Sequence, residues 1–183
     1  MSSQSAKYYA GIGSRKTPEN ILRIMSYAAS QLYEMGYTLR SGGAPGADQA
    51  FEFGVARTKG EDVQEKVEIY LPWPTFEKEN RSSIQPKRIQ PQFEAFEIAE
   101  RYHPSWRFLS QGAKKLHARN VHQIYGSDVT NPVYSEFVIC WTEGKRGGGG
   151  TGQALRIAAD LEIQIFDLAG EEDIEEVLEK ING

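Results

Sequence analysis

Three times along this chain an apolar, strand-like run ends in glycine and is followed at once by helical periodicity. The stretches are "KYYAGIGSRK" (7–16), "YTLRSGGAPGAD" (37–48) and "FVICWTEGKRGGGGTGQA" (137–154). A buried strand, a turn with few side chains and a helix make half of a βαβ unit. Repetition of that unit restricts the chain to a mainly parallel sheet with helices on both faces, because right-handed crossovers have to lie over the sheet. Glycine at the handover lets backbone approach a ligand, and the free N–H groups of a starting helix attract anions. In a doubly wound sheet all such turns lie at the carboxyl ends of the strands, where ligands bind.

The remaining periodicities complete the alternation. Ile21, Met25, Ala28, Leu32 and Met35 recur at helical spacing between Pro18, with Thr17 as the expected cap, and Gly36. A second helix opens near Asp48 and closes at Gly60, and "KVEIYLP" is a third strand. Residues 73–91 read as irregular chain, and helices near 92–102 and 105–124 flank Pro104. Phe93, Phe96 and Phe108 are expected in the core. After the fourth strand, "SEFVICWT", come a helix in "TGQALRIAADL", a fifth strand in "IQIFDL" and a last helix in "EDIEEVLEKI". The expectation is a single Rossmann-like, doubly wound α/β domain over residues 1–183, with a mainly parallel sheet.

Hydrophobic residues at 39% and charged residues at 25% suit a water-soluble core of this length. Cys140, inside "FVICW", reads as a reduced, buried thiol. The polar opening "MSSQSAK" does not read as a signal peptide and no run is long enough to span a membrane, so a cytoplasmic protein without membrane contact is expected. Residues 80–127 hold eight arginines and lysines against three glutamates, hence +5 in a chain of formal charge −4. Such a local field attracts phosphates even when the total charge is negative.

The candidate phosphate ligands follow from the turns: Gly13, Ser14, Arg15 and Lys16 in the first, Arg40, Ser41, Gly42, Gly43 and Gly46 in the second, Gly149, Gly150, Thr151 and Gly152 in the third. Lys145 and Arg146 add charge to the third. Asp48 either caps free N–H groups or accepts from a sugar hydroxyl; Glu52, one turn on, is a surface charge or an acid–base partner. Arg119 with Asn120 ends an acid-free helix where an arginine can hold a phosphate bidentately, so Arg119→Ala is expected to weaken binding and spare the fold. Trp73 and Trp106, each near proline, are candidates for base stacking beside a positive groove. His103, His117 and His122 have no metal-ligand spacing and read as surface or phosphate-contacting groups. No metal, cofactor or catalytic nucleophile is expected.

Taken in order, these motifs resemble the SLOG superfamily of Rossmann-like domains, and within it the DNA-processing branch DprA (Smf). The matching pieces are "GSRKTP", "SGGAPGAD", "YLPWPTFEKEN" with Asn80, "ARNVHQIYG" and "GGGGTGQALRIA". The resemblance implies a recombination mediator that binds single-stranded DNA, forms a homodimer and helps load a RecA-type recombinase, here in a compact, stand-alone form of the kind phages often encode. Two alternatives stay open. One is a sensor or sequestering protein for a small nucleotide. The other is a phosphoribohydrolase like the LONELY GUY branch of the superfamily, which cleaves the N-glycosidic bond of nucleoside monophosphates. That branch carries a glutamate three residues after the threonine of its glycine turn, where this chain has Ala154.

Overall fold

A computed structural model of the chain describes residues 5–183; the first four residues of the polar opening, on which the signal-peptide reading partly stands, lie outside it. Among the described residues six strands form one parallel sheet: β1 (Lys7–Gly11), β2 (Tyr37–Ser41), β3 (Val67–Tyr70), β4 (Lys87–Ile89), β5 (Phe137–Cys140) and β6 (Gln164–Asp167). Six α-helices accompany them, none between β3 and β4 and two between β4 and β5: α1 (Glu19–Glu34), α2 (Ala47–Ala56), α3 (Phe93–Arg101), α4 (Gln111–Tyr125), α5 (Gly149–Asp160) and α6 (Glu171–Asn182). The strand order is β4-β3-β2-β1-β5-β6. The chain therefore winds outward from β1 in both directions and reverses between β1 and β5, which is the Rossmann-like layout expected. The three strands that end in glycine turns, β2, β1 and β5, are neighbours.

Strand pleating divides the interior into two layers. Tyr9, Leu39, Ile69 and Ile139 pack with Met25, Leu32 and Phe51 of α1 and α2 and with Val177 of α6. Ala10, Val138 and Cys140 face the other way, onto Ala99, Ala118, Val121 and Ala158 of α3, α4 and α5. The Cys140 thiol is buried, and burial pushes its pKa up. Among the described residues no helix is long and apolar enough to cross a membrane.

Several local expectations are corrected. The stretch read as irregular contains β4, an edge strand of three residues, too short to show alternation and beginning on exposed Lys87. Phe93 and Phe108 are 75% and 76% exposed, while only Phe96 packs against the core. The cause is that α3 buries only Ala95 and Ala99, small residues that seat it against α4 and leave the aromatic at its first position outside the contact. Thr17 is not the cap of α1; Pro18 holds that position and the Thr17 hydroxyl donates to Ser14 O at 2.7 Å. Helix α2 stops at Ala56, short of Gly60.

Candidate functional site

The glycine turns converge. A Cβ added at Gly13 would lie 2.7 Å from Ala47 Cβ and 3.2 Å from Trp141 N, so the turn after β1 touches the chain after both neighbouring strands. Gly46, at φ +88°, lies against the first turn, where a side chain would come 2.8 Å from Ser14 O. Only glycine permits approaches this close. Between the turns and α4 lies a half-enclosed cavity of about 450 Å³. Gly13, Ser14, Arg15 and Lys16 line it from the first turn, Asp48 from the second, Gly149, Gly150 and Thr151 from the third, and Arg119 and Asn120 from α4.

The three turns do not offer their amides equally. In the first, Ser14 N donates to Trp141 O at 3.3 Å, Lys16 N to Ser14 Oγ at 3.0 Å and Thr17 N to Ser14 O at 3.3 Å. In the second, Ala44 N donates to Asp48 Oδ2 at 3.2 Å and Ala47 N to Ser14 O at 3.4 Å. Asp48 thus takes an N–H of the turn before α2, while the helix itself starts after Gly46 with no side-chain cap. The third turn differs in charge: α5 starts after Gly148 with no side-chain cap, as α1 and α2 do without one, but unlike them it has no acid in its first turn. A Cβ at Gly148, Gly149 or Gly150 would meet nothing within 4 Å, so this helix start faces open space. Its first N–H groups lack intrahelical partners and carry the positive end of the helix dipole. Arg15 and Lys16 stand exposed beside the same cavity.

Arg119 and Asn120 are braces as well as lining. Arg119 Nη1 donates to Gly42 O and, at 3.2 Å, to Tyr70 O, while Nε donates to Asn120 Oδ1 at 2.9 Å. Asn120 Nδ2 donates to Gly150 O at 2.9 Å. The pair ties the ends of β2 and β3 to the third turn. Two guanidinium nitrogens are occupied in this way, so the bidentate phosphate grip expected of Arg119 is reduced to its Nη2 edge. Burial lowers the Arg119 pKa, with Asp48 opposing that shift. Burial also pushes the Asp48 carboxyl up to about 6, with Arg119 and the N–H groups of Ala44 and Gly13 pulling it back part of the way.

Other expected ligands stand elsewhere. Arg40, 2% exposed, projects toward the α4 side: Nε meets Glu68 Oε2 at 3.1 Å, Nη1 donates to Val133 O at 2.5 Å, and the guanidinium covers the Tyr8 ring at 3.8 Å. It secures the segment before β5 and is withdrawn from the cavity. The Ser41 hydroxyl donates to Gly11 O at 2.5 Å and is fully buried. Gly42 and Gly43 are buried under the floor, and Gly152 packs against Gly147 O; all three serve close packing. Trp106 is 8% exposed and packs in the α3–α4–α5 layer, so it offers no stacking face. Trp73 lines a second, shallower hollow with Phe76 and Asn80, which shares Arg15 and Leu116 with the first. Glu52 is buried, accepting from Arg88 Nη2 at 3.2 Å and from the Ser82 hydroxyl, and anchors the 81–89 segment to α2. Lys145 is paired with Asp173 at 2.7 Å.

Among the histidines, His122 is a buried structural group, stacked on Tyr70 at 5.2 Å, with Gly126 O and the Gln92 N–H as ring partners. His117 does line the cavity, together with Ala113, Leu116 and Gln123 of the same helix. Those positions, with Asn120, form one stripe at helical spacing, the signal from which they were readable. Gly42→Ala is expected to destabilise the protein by about 1–3 kcal/mol and to weaken phosphate binding, because the new methyl lands 2.7 Å from both Asp48 Oδ2 and Gln123 Nε2 and against Arg119. Urea unfolding and oligonucleotide anisotropy read the two effects separately; an unchanged unfolding midpoint would contradict this packing.

Fold and cleft together define a Rossmann-like α/β domain with a cleft at its topological switch point. No protein-family model matches the chain, and no curated protein matches it. Solved structures similar to it include two DNA-processing proteins. DNA processing protein A from Helicobacter pylori, a protein with its own single-stranded DNA binding mode, shares 17% identity at a TM-score of 0.47, over 95% of this chain and 72% of that one. DprA from Streptococcus pneumoniae shares 14% identity at a TM-score of 0.41, over 93% of this chain and 61% of that one.

Proposed function

We propose that the cleft binds single-stranded DNA through its phosphates and breaks no bond in it, as a DprA-like recombination mediator would. One observation supports this above the others: the uncapped start of α5, Arg15, Lys16 and the free edge of Arg119 all border one cavity, and the hollow lined by half-buried Trp73 adjoins it. Phosphate donors beside aromatic faces suit a flexible strand, whose bases stack where its backbone is neutralised. Hydrolysis is disfavoured by the third turn. Ala154 is buried in an apolar layer, and the neighbouring Gln153 is turned to His117 and Ala99 O, so no carboxylate of α5 reaches a sugar. The half-enclosed shape of the cavity keeps a small nucleotide as the second reading.

Fluorescence anisotropy with oligothymidylate at several salt concentrations tests the proposal. Binding is expected to fall with a log–log slope of about −2, at roughly 0.7 per neutralised phosphate for three cations. Arg15→Ala should flatten that slope by about 0.7. Salt-independent binding, or binding of nucleoside monophosphates alone, would contradict the strand reading.

A further inference from the structure

Alongside its phosphate donors the cleft holds two groups able only to accept. The Asp48 carboxylate, 4% exposed, takes the N–H of Ala44 and keeps further lone pairs at the cavity wall. His117 supplies the other. Gln153 Nε2 donates to Ala99 O at 2.9 Å, which fixes the side-chain amide so that its Oε1 meets His117 Nδ1 at 2.7 Å. An acceptor at that distance places the ring proton on Nδ1 and leaves the Nε2 lone pair without it. Burial lowers the His117 pKa, with the Gln153 contact opposing that and His103, Arg156 and Arg119 adding to it.

An internal stretch of DNA has nothing on its sugar or phosphate to donate to these acceptors, and a carboxylate repels phosphate oxygens. A site with buried acceptors discriminates strongly for a ligand that brings the matching donor. The hollow lined by half-buried Trp73 shares Arg15 and Leu116 with the cleft, so a base of the same strand can lie beside it. Resting on the single-strand reading above, we propose that the cleft captures the 3′-terminal nucleotide of a DNA strand, its phosphate at the start of α5 and its 3′-hydroxyl donating its single proton to Asp48, while His117, with no proton on Nε2, offers that carboxylate no competing donor. A phosphate and a sugar hydroxyl on one nucleotide also occur together in a free nucleoside monophosphate, and the test separates these sources.

Oligothymidylate labelled at its 5′ end is prepared with a 3′-hydroxyl, a 3′-hydrogen or a 3′-phosphate, and unlabelled circular single-stranded DNA and thymidine monophosphate serve as competitors. The 3′-hydroxyl end is expected to bind about tenfold more tightly than the other two, the size of one lost hydrogen bond to a buried acceptor. In Asp48→Ala, with folding checked by its melting curve, that ratio should fall toward one. Circular DNA should compete poorly and the monophosphate should compete only in large excess. Equal binding of all ends and of the circle overturns end capture and leaves the strand reading standing. Displacement by equimolar monophosphate overturns the strand end in favour of the free nucleotide, and no binding of any DNA overturns both.

Discussion

Arg119→Ala is expected to lower the melting temperature on the order of 10 °C and to abolish DNA binding at the same time. The sequence alone suggested a ligand whose removal spares the fold; the hydrogen bonds overrule that. Truncation strands the carbonyl oxygens of Gly42 and Tyr70, which lie at the ends of two adjacent strands under the cleft floor. It also frees Asn120, the residue that holds Gly150. Removing one member of a buried, hydrogen-bonded charged group costs about 3–5 kcal/mol, since neither the vacated space nor the orphaned acceptors are solvated. Arg119→Lys keeps the charge but has one point donor for three acceptors, so an intermediate loss is expected. Arg15→Ala is the contrast: its side chain is 57% exposed and paired only with Glu77 at 3.3 Å, so its melting curve should overlay the parent's while DNA affinity falls. Thermal denaturation of the three variants, with binding measured well below every transition, checks the assignment. An Arg119→Ala protein that melts with the parent would show that the brace carries no load.

Why the fold was legible and parts of the site were not has a common physical root. A strand followed by a glycine turn and a helix is a local pattern, and three of them already imply which ends of the sheet face the ligand. Side-chain direction inside a strand buried on both faces is not local. β2 is buried at every position, so its sequence gives no alternation from which to tell that Arg40 projects to the α4 side while Leu39 joins the other layer. Arg119 and Asn120 were recognisable as site residues, yet their bracing bonds reach 77 and 30 residues away along the chain, a relation no spacing rule contains. Trp106 looked like a stacking platform because proline and basic residues surround it; only the packing of α3 on α4 shows that it fills the interior. β4 escaped notice because three residues cannot display a period of two.

Asp48→Asn is expected to do the opposite of Arg119→Ala: stabilise the protein at neutral pH and strengthen phosphate binding. Burial raises the folded-state pKa of this carboxyl from 3.8 to about 6, so the native state holds the proton more tightly than the unfolded chain does. The resulting stabilisation is fully present below pH 3.8 and is lost as the pH rises through 6. Above that pH the ionised carboxylate is a liability of about 3 kcal/mol, two pKa units at roughly 1.4 kcal/mol each. Asparagine removes the charge but turns an NH2 toward one of the N–H groups that the carboxylate had accepted, so a net gain of about 1–2 kcal/mol is expected at pH 7, vanishing near pH 4. The pH dependence of unfolding between 4 and 6 should flatten in the same variant. Binding follows the same charge. Toward circular single-stranded DNA, which brings no terminal hydroxyl to Asp48, the parent's affinity should rise as the pH falls through 6, and Asp48→Asn should bind on the order of tenfold more tightly at pH 7 and low salt, with little pH dependence left. Urea unfolding and anisotropy across pH 4–8 measure both. A parent whose stability and affinity are flat between pH 5 and 7 would mean that the Asp48 carboxyl titrates as an ordinary solvated one, open to water at the floor of the cleft.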